Sequence, residues 1–172
     1  MLGSAGKPMG FEELYDKYFR RIYNYIRYRV LARDAADDLV SAVFEKVLDK
    51  FGAFEQGKPV EPWLFAIARN TLNDYYRRRA VRGGLSIDGF EERIASGESV
   101  EREAEKNEEN AQLLAAMSGL SEAERELIAM KYALDLSARE IAAQTGLTES
   151  NVGVTLFRAM KKLRGRLGPE VI

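Results

Sequence analysis

The strongest candidates for a chemical task in this sequence are arginines that follow its single tryptophan. Five arginines lie from Arg69 to Arg82, and Asp74 is the only acidic residue in that interval. Helical spacing places Arg69, Asn73 and Arg77 on one face. A row of guanidinium groups on a helix is suited to binding phosphate oxygens. The alternative interpretation is that Asp74 pairs with a neighbouring arginine and that the face is simply hydrated.

A second group of cations lies near residue 160. Five basic residues and no acidic one occur from Arg158 to Arg166. Between the two basic segments, Asp88 to Glu109 carries nine acidic residues against three basic ones, a net charge of −6. The formal net charge of −1 therefore hides two basic segments separated by an acidic one. Because salt screens exposed charges beyond about 8–10 Å, the local charge of each segment matters more than the total charge of the chain.

The residue types that usually carry catalysis are missing. The sequence has no histidine and no cysteine, which removes the commonest general base, thiolate nucleophiles, thiolate metal sites and disulfides. We therefore expect no catalytic residue, no metal site, no cofactor and no small-molecule substrate. No apolar run approaches the roughly 20 residues of a membrane span, and no signal-peptide pattern is present. We expect a cytoplasmic protein without membrane contact.

The hydrophobic pattern predicts an all-α fold. Apolar residues recur with a period close to 3.6 from Phe11 to Val30, which predicts a first helix. Asp34 is predicted to cap a second helix that ends near Lys50. Pro62 fits the first turn of a third helix, which ends near Gly83–Gly84. The predicted inner stripe of the second helix is Leu39, Val43, Val47 and Leu48.

The segment after residue 120 has the pattern of a helix-turn-helix. Ser121–Glu124 and Ser137–Glu140 both fit the capping box S-x-x-E. Gly146 can adopt the left-handed conformation that ends one helix and turns the chain sharply. Thr148 then caps the last helix, which runs to about Leu167. The predicted buried stripe of that helix is Val152, Leu156, Ala159, Met160 and Leu163.

The opposite face of the last helix carries residues suited to DNA. A helix that reads DNA needs polar side chains near its N-terminus for base edges and cations along it for phosphates. The predicted outer face is Ser150, Asn151, Val154, Phe157, Arg158 and Lys161. Phe157 is difficult to explain as solvated surface and fits a base methyl, a sugar or a partner. The alternative is an amphipathic helical hairpin whose charged face is only solvated.

These patterns divide the chain into four parts. Residues 1–10 are expected to be a flexible leader or an expression remnant, and residues 83–109 an acidic, flexible linker that is partly helical at its C-terminal end. Residues 11–82 and 110–172 are expected to form two small helical domains, the second with the helix-turn-helix.

The segments DAADDLVSAVFEKV and WLFAIARNTLNDYYRRR, followed by the helix-turn-helix, resemble the extracytoplasmic-function (ECF) sigma factors of the sigma-70 family. The likeness covers residues 11–167: residues 11–79 resemble region 2, and residues 120–167 resemble region 4. It implies a non-enzymatic subunit that binds core RNA polymerase, recognises the −35 and −10 promoter elements and promotes DNA melting. The implied partners are the β′ clamp helices and β flap of bacterial core polymerase, promoter DNA and an anti-sigma factor.

The resemblance also assigns residues to each contact. The residues implied to bind core polymerase are Asp37, Asp38, Leu39, Ser41 and Phe44. Those implied to hold an unstacked base of the −10 element are Lys46, Phe54, Trp63 and Asn70. Its phosphates are assigned to Arg69, Arg77, Arg78 and Arg79, together with Asn73 on the same helix face. The −35 duplex is assigned to Lys131, Val154, Phe157 and Arg158, with Thr148, Ser150, Asn151 and Lys161 beside them. An extruded base needs an aromatic surface and an amide that reads its edge, which agrees with the −10 set.

Several alternatives stay open at this point. The acidic linker either imitates nucleic acid inside a positively lined polymerase channel or only separates two basic domains. The chain as a whole could instead be a dimeric regulator that binds palindromic DNA without polymerase. It could also be a sigma mimic that titrates an anti-sigma factor, although both cation clusters needed for DNA are present.

Overall fold

The computed structural model describes residues 8–82 and 101–168, with the backbone alone for 101–107. Most of the predicted leader and most of the predicted linker therefore lie outside the described residues, as do positions 169–172. The described part consists of seven α-helices and one short π-helical segment, without a strand. The predicted all-α fold is confirmed.

Three helices form the first half of the described chain: α1 (Phe11–Arg29), α2 (Arg33–Phe51) and α3 (Val60–Val81). Their apolar stripes face one another, because each helix repeats its apolar residues at close to 3.6 positions. The side chains at the centre of this packing are Leu14, Ile22, Tyr25, Val43, Leu64 and Phe65.

Two details of α2 differ from the prediction. The helix begins at Arg33 with Ala32 as its N-cap, so Asp34 lies in the first turn and is not the cap. An acidic side chain there still stabilises the helix, because the N-terminal end carries partial positive charge. Leu48, predicted to face inward, is 56% exposed. Successive side chains of a helix point about 100° apart around its axis, so Leu48, five positions after Val43, points away from the side of α2 that carries Val43.

The second half contains α4 (Glu101–Met117), α5 (Glu122–Ile128), a π segment (Ala129–Ala133), α6 (Ala138–Thr145) and α7 (Glu149–Leu167). Helix α4 begins inside the predicted linker. Both predicted capping boxes are present, at the N-termini of α5 and α6. Each serine hydroxyl accepts from the backbone N–H three residues on, and the glutamate there accepts from the serine N–H.

The helix-turn-helix is built as the sequence predicts. Gly146 ends α6 with φ of 76°, in the left-handed region. Thr148 caps α7, since its hydroxyl accepts from the Asn151 N–H at 3.1 Å. Val152, Ala159 and Leu163 of α7 are buried, which confirms these three members of its predicted inner stripe.

The sequence did not predict the π segment. The chain continues from α5 with widened turns, so that the Leu134 N–H donates to the Ala129 carbonyl at 3.2 Å, five residues back. Met130 and Leu134 are buried along this stretch, whereas Tyr132 is 57% exposed. Segments of this kind are rare and often occur at functional sites.

The two halves share a hydrophobic core. The cluster that joins α1, α2 and α3 also contains Leu127, Met130, Leu134, Ile141 and Val152 from the second half. A smaller cluster joins α4, α5 and α7, and Tyr28 and Leu31 of the first half pack at its edge. Helix α5 and the π segment therefore lie on α1, a contact that the expectation of two linked domains did not include.

Two glycines of the helix-turn-helix should respond to alanine in opposite directions. An added Cβ would meet nothing within 4 Å at either Gly146 or Gly153, and only Gly146 has a left-handed backbone. We expect Gly146→Ala to lower the free energy of unfolding by about 1–2 kcal/mol, the cost of the left-handed conformation. Gly153→Ala, inside α7, should raise it by about 0.5–1 kcal/mol. Urea unfolding followed by circular dichroism measures both free energies. A change of the same sign for both substitutions would contradict the different backbone conformations of the two glycines.

Candidate nucleic-acid and polymerase interface

The loop before α3 and the start of that helix bring two aromatic rings together. The Phe54 and Trp63 ring centroids lie 4.8 Å apart with an interplanar angle of 38°. Both side chains are half-buried, whereas Asn70 is exposed. Asn70 follows Trp63 by two helical turns, which places it on the same face about 10 Å further along. An aromatic surface and an amide thus lie on one side of α3.

Lys46 of α2 joins this site from the neighbouring helix. Its Nζ donates to the Thr71 hydroxyl at 3.2 Å, and that hydroxyl donates to the Ile67 carbonyl at 2.8 Å. Thr71 is buried, so the hydrogen bond holds the ammonium against α3 beside Asn70. Of the four residues assigned to the unstacked base, the structure thus packs Phe54 against Trp63 and holds Lys46 on α3 at Thr71, the residue after Asn70.

The C-terminal end of α3 carries the arginine row. Arg77 and Arg78 are exposed. The Asp74 carboxylate lies 3.6 Å from the Arg77 guanidinium, so the expected local ion pair is present. Exposed pairs of this kind contribute only about 0–1 kcal/mol and give way readily to another anion. Arg79 donates to the Tyr75 hydroxyl at 3.0 Å, with its guanidinium 6.0 Å from the ring centre.

Arg69 has a different environment from the rest of the row. Its Nε donates to Glu126 Oε1 at 2.9 Å, and its NH1 donates to the Gln144 carbonyl at 2.6 Å. Both acceptors belong to the second half of the chain. The helix face predicted from spacing is therefore divided: Asn73 is half-buried, Arg77 is open to solvent and Arg69 is engaged inside the protein.

Helix α7 presents the predicted outer face to solvent. All six residues of that face are exposed, with Phe157 at 70% and Val154 at 46%. Thr148 is occupied in capping the helix. Lys131 lies on the π segment and is half-buried, so it belongs to a different element from the rest of the −35 set.

An ion pair with α5 holds α7 in place. Lys162 Nζ donates to Glu124 Oε1 at 2.7 Å, and the other Glu124 oxygen accepts from the Ser121 N–H. Burial alone would raise the pKa of Glu124, but the hydrogen bonds from Lys162 and Ser121 lower it below its ordinary value. The same carboxylate thus caps α5 and anchors the helix that is predicted to read DNA.

The residues assigned to core polymerase divide between surface and interior. Asp37, Asp38 and Ser41 are exposed on α2, whereas Leu39 and Phe44 are only 8% and 5% exposed. The Phe44 ring packs 4.7 Å from Tyr15 and 5.9 Å from Phe19 of α1. The exposed apolar side chains on this part of the molecule are Tyr15, which packs against Phe44, and Leu48 of α2, neither of which the sequence predicted to be exposed.

Three arginines of the first half reach acceptors in the second half, and we call this set of contacts the arginine seam. Its members are Arg21, Arg29, Arg69, Glu122, Glu126 and the main-chain carbonyls of Leu134 and Gln144. Arg29 is 3% exposed, with its guanidinium nitrogens 4.0 Å from Glu122 and 3.9 Å from Glu126. The sequence contains a signal for this pairing that the sequence analysis did not use, because Arg29 lies on the buried stripe of α1 with Tyr25 and Ile26. A charge at such a position requires opposite charge nearby.

Two protein-family models match the chain. The model for Sigma-70 region 2 matches residues 14–82, and the model for Sigma-70 region 4 matches residues 110–163. Together they cover the larger part of the 172 residues. The ECF RNA polymerase sigma factor BldN of Streptomyces coelicolor is 33% identical over 171 residues. The chain belongs to the ECF sigma factors.

The relatives differ in how much of their length the chain spans. The match with BldN takes in 96% of this chain and 63% of BldN. With the ECF RNA polymerase sigma factor SigM of Bacillus subtilis the identity is 27% over 156 residues, which is 91% of this chain and 94% of SigM. An ECF sigma factor is a non-enzymatic initiation factor whose partners are core RNA polymerase and promoter DNA, so the prediction that the chain is not an enzyme is confirmed.

Solved structures of sigma factors have the same fold. The sigma factor RpoE of Bartonella quintana, solved with the anti-sigma factor NepR, matches with a TM-score of 0.70 and 25% identity. That match covers 92% of this chain and 97% of RpoE. CnrH, solved with the cytosolic domain of CnrY, has a TM-score of 0.59 at 23% identity and supports the fold. None of the helices described for the ECF sigma factor here is long and apolar enough to cross a bilayer.

Glu124 should make the stability of the second half depend on pH. Because its folded-state pKa is lowered, the carboxylate stabilises the fold above its unfolded pKa of about 4.3, and the contribution is lost as pH falls through the folded pKa. We expect Glu124→Gln to lower the free energy of unfolding by about 1–3 kcal/mol at pH 7, with the difference from wild type vanishing in acid. Urea unfolding from pH 7 to pH 2 measures this. Glu108→Gln on exposed α4 is the matched control, and an equal change there would refute the assignment.

Proposed function

We propose that this ECF sigma factor carries out promoter recognition through three separate surfaces, two for DNA and one for core polymerase. The aromatic pair of Phe54 and Trp63, with Asn70 on the same side of α3, supports the proposal most directly. This arrangement is suited to holding one unstacked base. We place region 2 at residues 11–82, the linker at 83–109 and region 4 at 110–172.

The first surface takes the melted −10 strand. A base extruded from the stack would lie against the Phe54 and Trp63 rings, and the Asn70 amide would hydrogen-bond to its edge. The Lys46 ammonium, held 3.2 Å from the Thr71 hydroxyl, supplies positive charge at the same place. The exposed guanidinium groups of Arg77 and Arg78 would then follow the phosphates of the strand. Asn73 and Arg79 lie on the same helix and complete this surface.

The second surface reads the −35 duplex through α7. Ser150 and Asn151 stand at the N-terminal end of the helix, where side chains reach base edges in the major groove. Val154 and Phe157 offer apolar contact to a thymine methyl group. Arg158 and Lys161 follow on the same side for phosphates, and Lys131 contributes from the π segment. Thr148 acts by capping the helix, which keeps its first turn ordered.

The third surface binds core polymerase. Asp37, Asp38 and Ser41 present polar groups on α2, and Leu39 and Phe44 support them from the core. Tyr15 and Leu48 add exposed apolar area beside the carboxylates, a combination suited to a helical partner with basic residues. We assign this surface to the β′ clamp helices and assign region 4 to the β flap.

The two DNA surfaces act together on polymerase. Neither alone should bind promoter DNA tightly, because full affinity comes from two contacts held at a fixed separation by a shared enzyme. The protein would therefore work in the cytoplasm, where the polymerase is. RpoE and CnrH were solved with NepR and with the cytosolic domain of CnrY, and an anti-sigma factor is accordingly a candidate partner of this chain as well.

Run-off transcription tests the proposal as a whole. Holoenzyme assembled from this protein and bacterial core polymerase should initiate from a defined subset of a genomic template library, and the active templates would reveal the −10 and −35 preferences. Gel shifts with and without core polymerase provide the second readout. Tight promoter binding by the protein alone, without initiation from any template, would instead identify a self-sufficient regulator.

Trp63 should matter for strand opening more than for initial binding. We expect Trp63→Ala to lower the equilibrium constant of promoter opening by about 5- to 100-fold, since stacking of one base on an aromatic ring is worth about 1–3 kcal/mol. Trp63→Phe should retain most of the activity. Opening is measured with 2-aminopurine in the −10 element, and duplex binding with a gel shift. Tyr132→Ala, an exposed aromatic at 57%, is the control and should leave opening unchanged.

Substitutions of Arg158 and Phe157 should have different effects, one on the affinity for all promoters and the other on the preference for one base pair. We expect Arg158→Ala to weaken holoenzyme binding to every promoter and to reduce the salt slope by about one unit, because one phosphate contact is lost. Phe157→Ala should keep the slope and cost about 1–3 kcal/mol at a single −35 base pair. Binding of promoter variants across a range of KCl concentrations measures both. Identical effects of the two substitutions on the slope would refute the assigned roles.

A further inference from the structure

The first turn of α3 carries Trp63 but has no side-chain cap. Pro59 stands at the N-cap position and makes no side-chain hydrogen bond to the helix. In the loop before it, which contains Phe54, the Lys58 ammonium lies 2.5 Å from the Glu55 carboxylate and so pairs within the loop itself. Helix ends whose first N–H groups lack side-chain partners fray readily. The proposed −10 base site therefore stands on a helix end that needs support from elsewhere in the protein.

Glu61 supplies that support from the first turn of α3. Its Oε1 accepts from the Tyr18 hydroxyl at 3.1 Å and from Arg21 NH1 at 2.9 Å. Both donors belong to α1, so one carboxylate oxygen joins the start of α3 to the neighbouring helix. The partial positive charge of a helix N-terminus also favours an acidic side chain at this place.

The two donors on α1 are themselves held in position. Tyr18 is 2% exposed, and its ring meets Phe65 of α3 edge-on, with the centroids 6.4 Å apart. The Arg21 guanidinium lies 5.1 Å from the centre of the Phe65 ring. Burial, and after it the hydrogen bond to Glu61, raises the pKa of Tyr18, so its hydroxyl stays protonated as a donor at neutral pH. Glu61 is therefore bound to groups that have little freedom to move.

Glu61 does not itself face the base. Residues two positions apart point about 200° apart around a helix axis, so the Glu61 carboxylate and the Trp63 ring lie on opposite sides of the first turn. The ring packs on Phe54 at one side, and Glu61 is tied to α1 at the other. A turn held from both sides keeps the indole in a fixed orientation, which a surface for base stacking requires.

This contact is not what buries the helix. Leu64 and Phe65 are 0% and 1% exposed and hold α3 in the core by apolar packing. The Glu61 side chain is 45% exposed and that of Arg21 is 30% exposed, so their ion pair contributes little to overall stability. The pair therefore affects the position of the first turn more than the existence of the helix.

We propose that Glu61 is a positioning residue for the −10 base site. By tying the first turn of α3 to Tyr18 and Arg21 of α1, it fixes the indole of Trp63 before DNA arrives, and the unstacked base meets a preformed surface. The inference rests on the proposed role of Trp63 in holding that base.

Trp63 reports the effect in the free, full-length protein, because it is the only tryptophan of the chain. We expect Glu61→Ala to increase acrylamide quenching of the tryptophan fluorescence and to lower its anisotropy, since the first turn loses its link to α1. Glu61→Gln, whose amide oxygen still accepts from both donors, should stay close to wild type. Glu13→Ala removes the same charge from the exposed start of α1 and should change neither reading.

Promoter opening tests the functional consequence. With holoenzyme and 2-aminopurine in the −10 element, Glu61→Ala should lower the opening constant about three- to tenfold, and binding to a duplex that carries only the −35 element should stay unchanged. In a Trp63→Ala background the same substitution should add little, because no indole is left to position. Tyr18→Phe removes one donor and keeps the ring against Phe65. It should cause a smaller loss, and it serves as the second variant if Glu61→Ala loses helicity.

The outcomes separate this inference from the proposed function. Unchanged fluorescence or unchanged opening in the folded variants would overturn the positioning role. Equal losses of opening from Glu61→Ala with and without Trp63 would also overturn it, since they would reflect a general weakening of region 2, and so would an equal effect of Glu13→Ala. The fluorescence readings need neither polymerase nor DNA, so they do not depend on the proposed function. Absence of initiation by wild-type holoenzyme would instead contradict the proposed function.

Discussion

A guanidinium inside a protein needs opposite charge nearby, and Arg29 receives it from the other half of the chain. Its carboxylate partners, Glu122 and Glu126, both lie on α5. Within its own half Arg29 donates to the Tyr25 hydroxyl at 3.3 Å and lies over the Tyr25 and Tyr76 rings, and the packing of α5 on α1 adds the two carboxylates. Once α5 is placed, α6 follows it through a short connection and brings the Gln144 carbonyl within 2.6 Å of Arg69. One buried charge and the apolar residues around it thus lie at the contact between the two halves.

The arginines of region 2 divide into two groups by their position relative to the core. Arg77 and Arg78, at the far end of α3, extend beyond the packed part of the helix and remain in water. Arg29 and Arg69 lie where another helix packs, and their donors are used within the protein. The same residue type therefore lies on the proposed nucleic-acid surface at one place and takes part in assembly at another. Local charge density alone does not distinguish the two.

The aromatic residues also divide into those packed in the core and those left at the surface. Phe44 lies in the core with Tyr15 and Phe19 packed against it, whereas Phe157 is 70% exposed on α7. Phe54 and Trp63 are intermediate, because they pack on each other and still reach the surface. Aromatic groups left at the surface beside amides and cations are the ones suited to bases, and in this sigma factor they lie at the start of α3 and on α7.

The sequence by itself determined the all-α fold, both capping boxes, the left-handed turn at Gly146 and the exposed face of α7. Each of these depends on interactions between residues about four positions apart, so local pattern is sufficient to predict them. The tertiary structure decided that Leu48 faces solvent, that the chain after Ile128 widens into a π segment and that Arg69 meets Glu126. That last contact joins residues 57 positions apart. No helical period connects such positions, because their contact depends on how whole helices pack around the buried charge of Arg29.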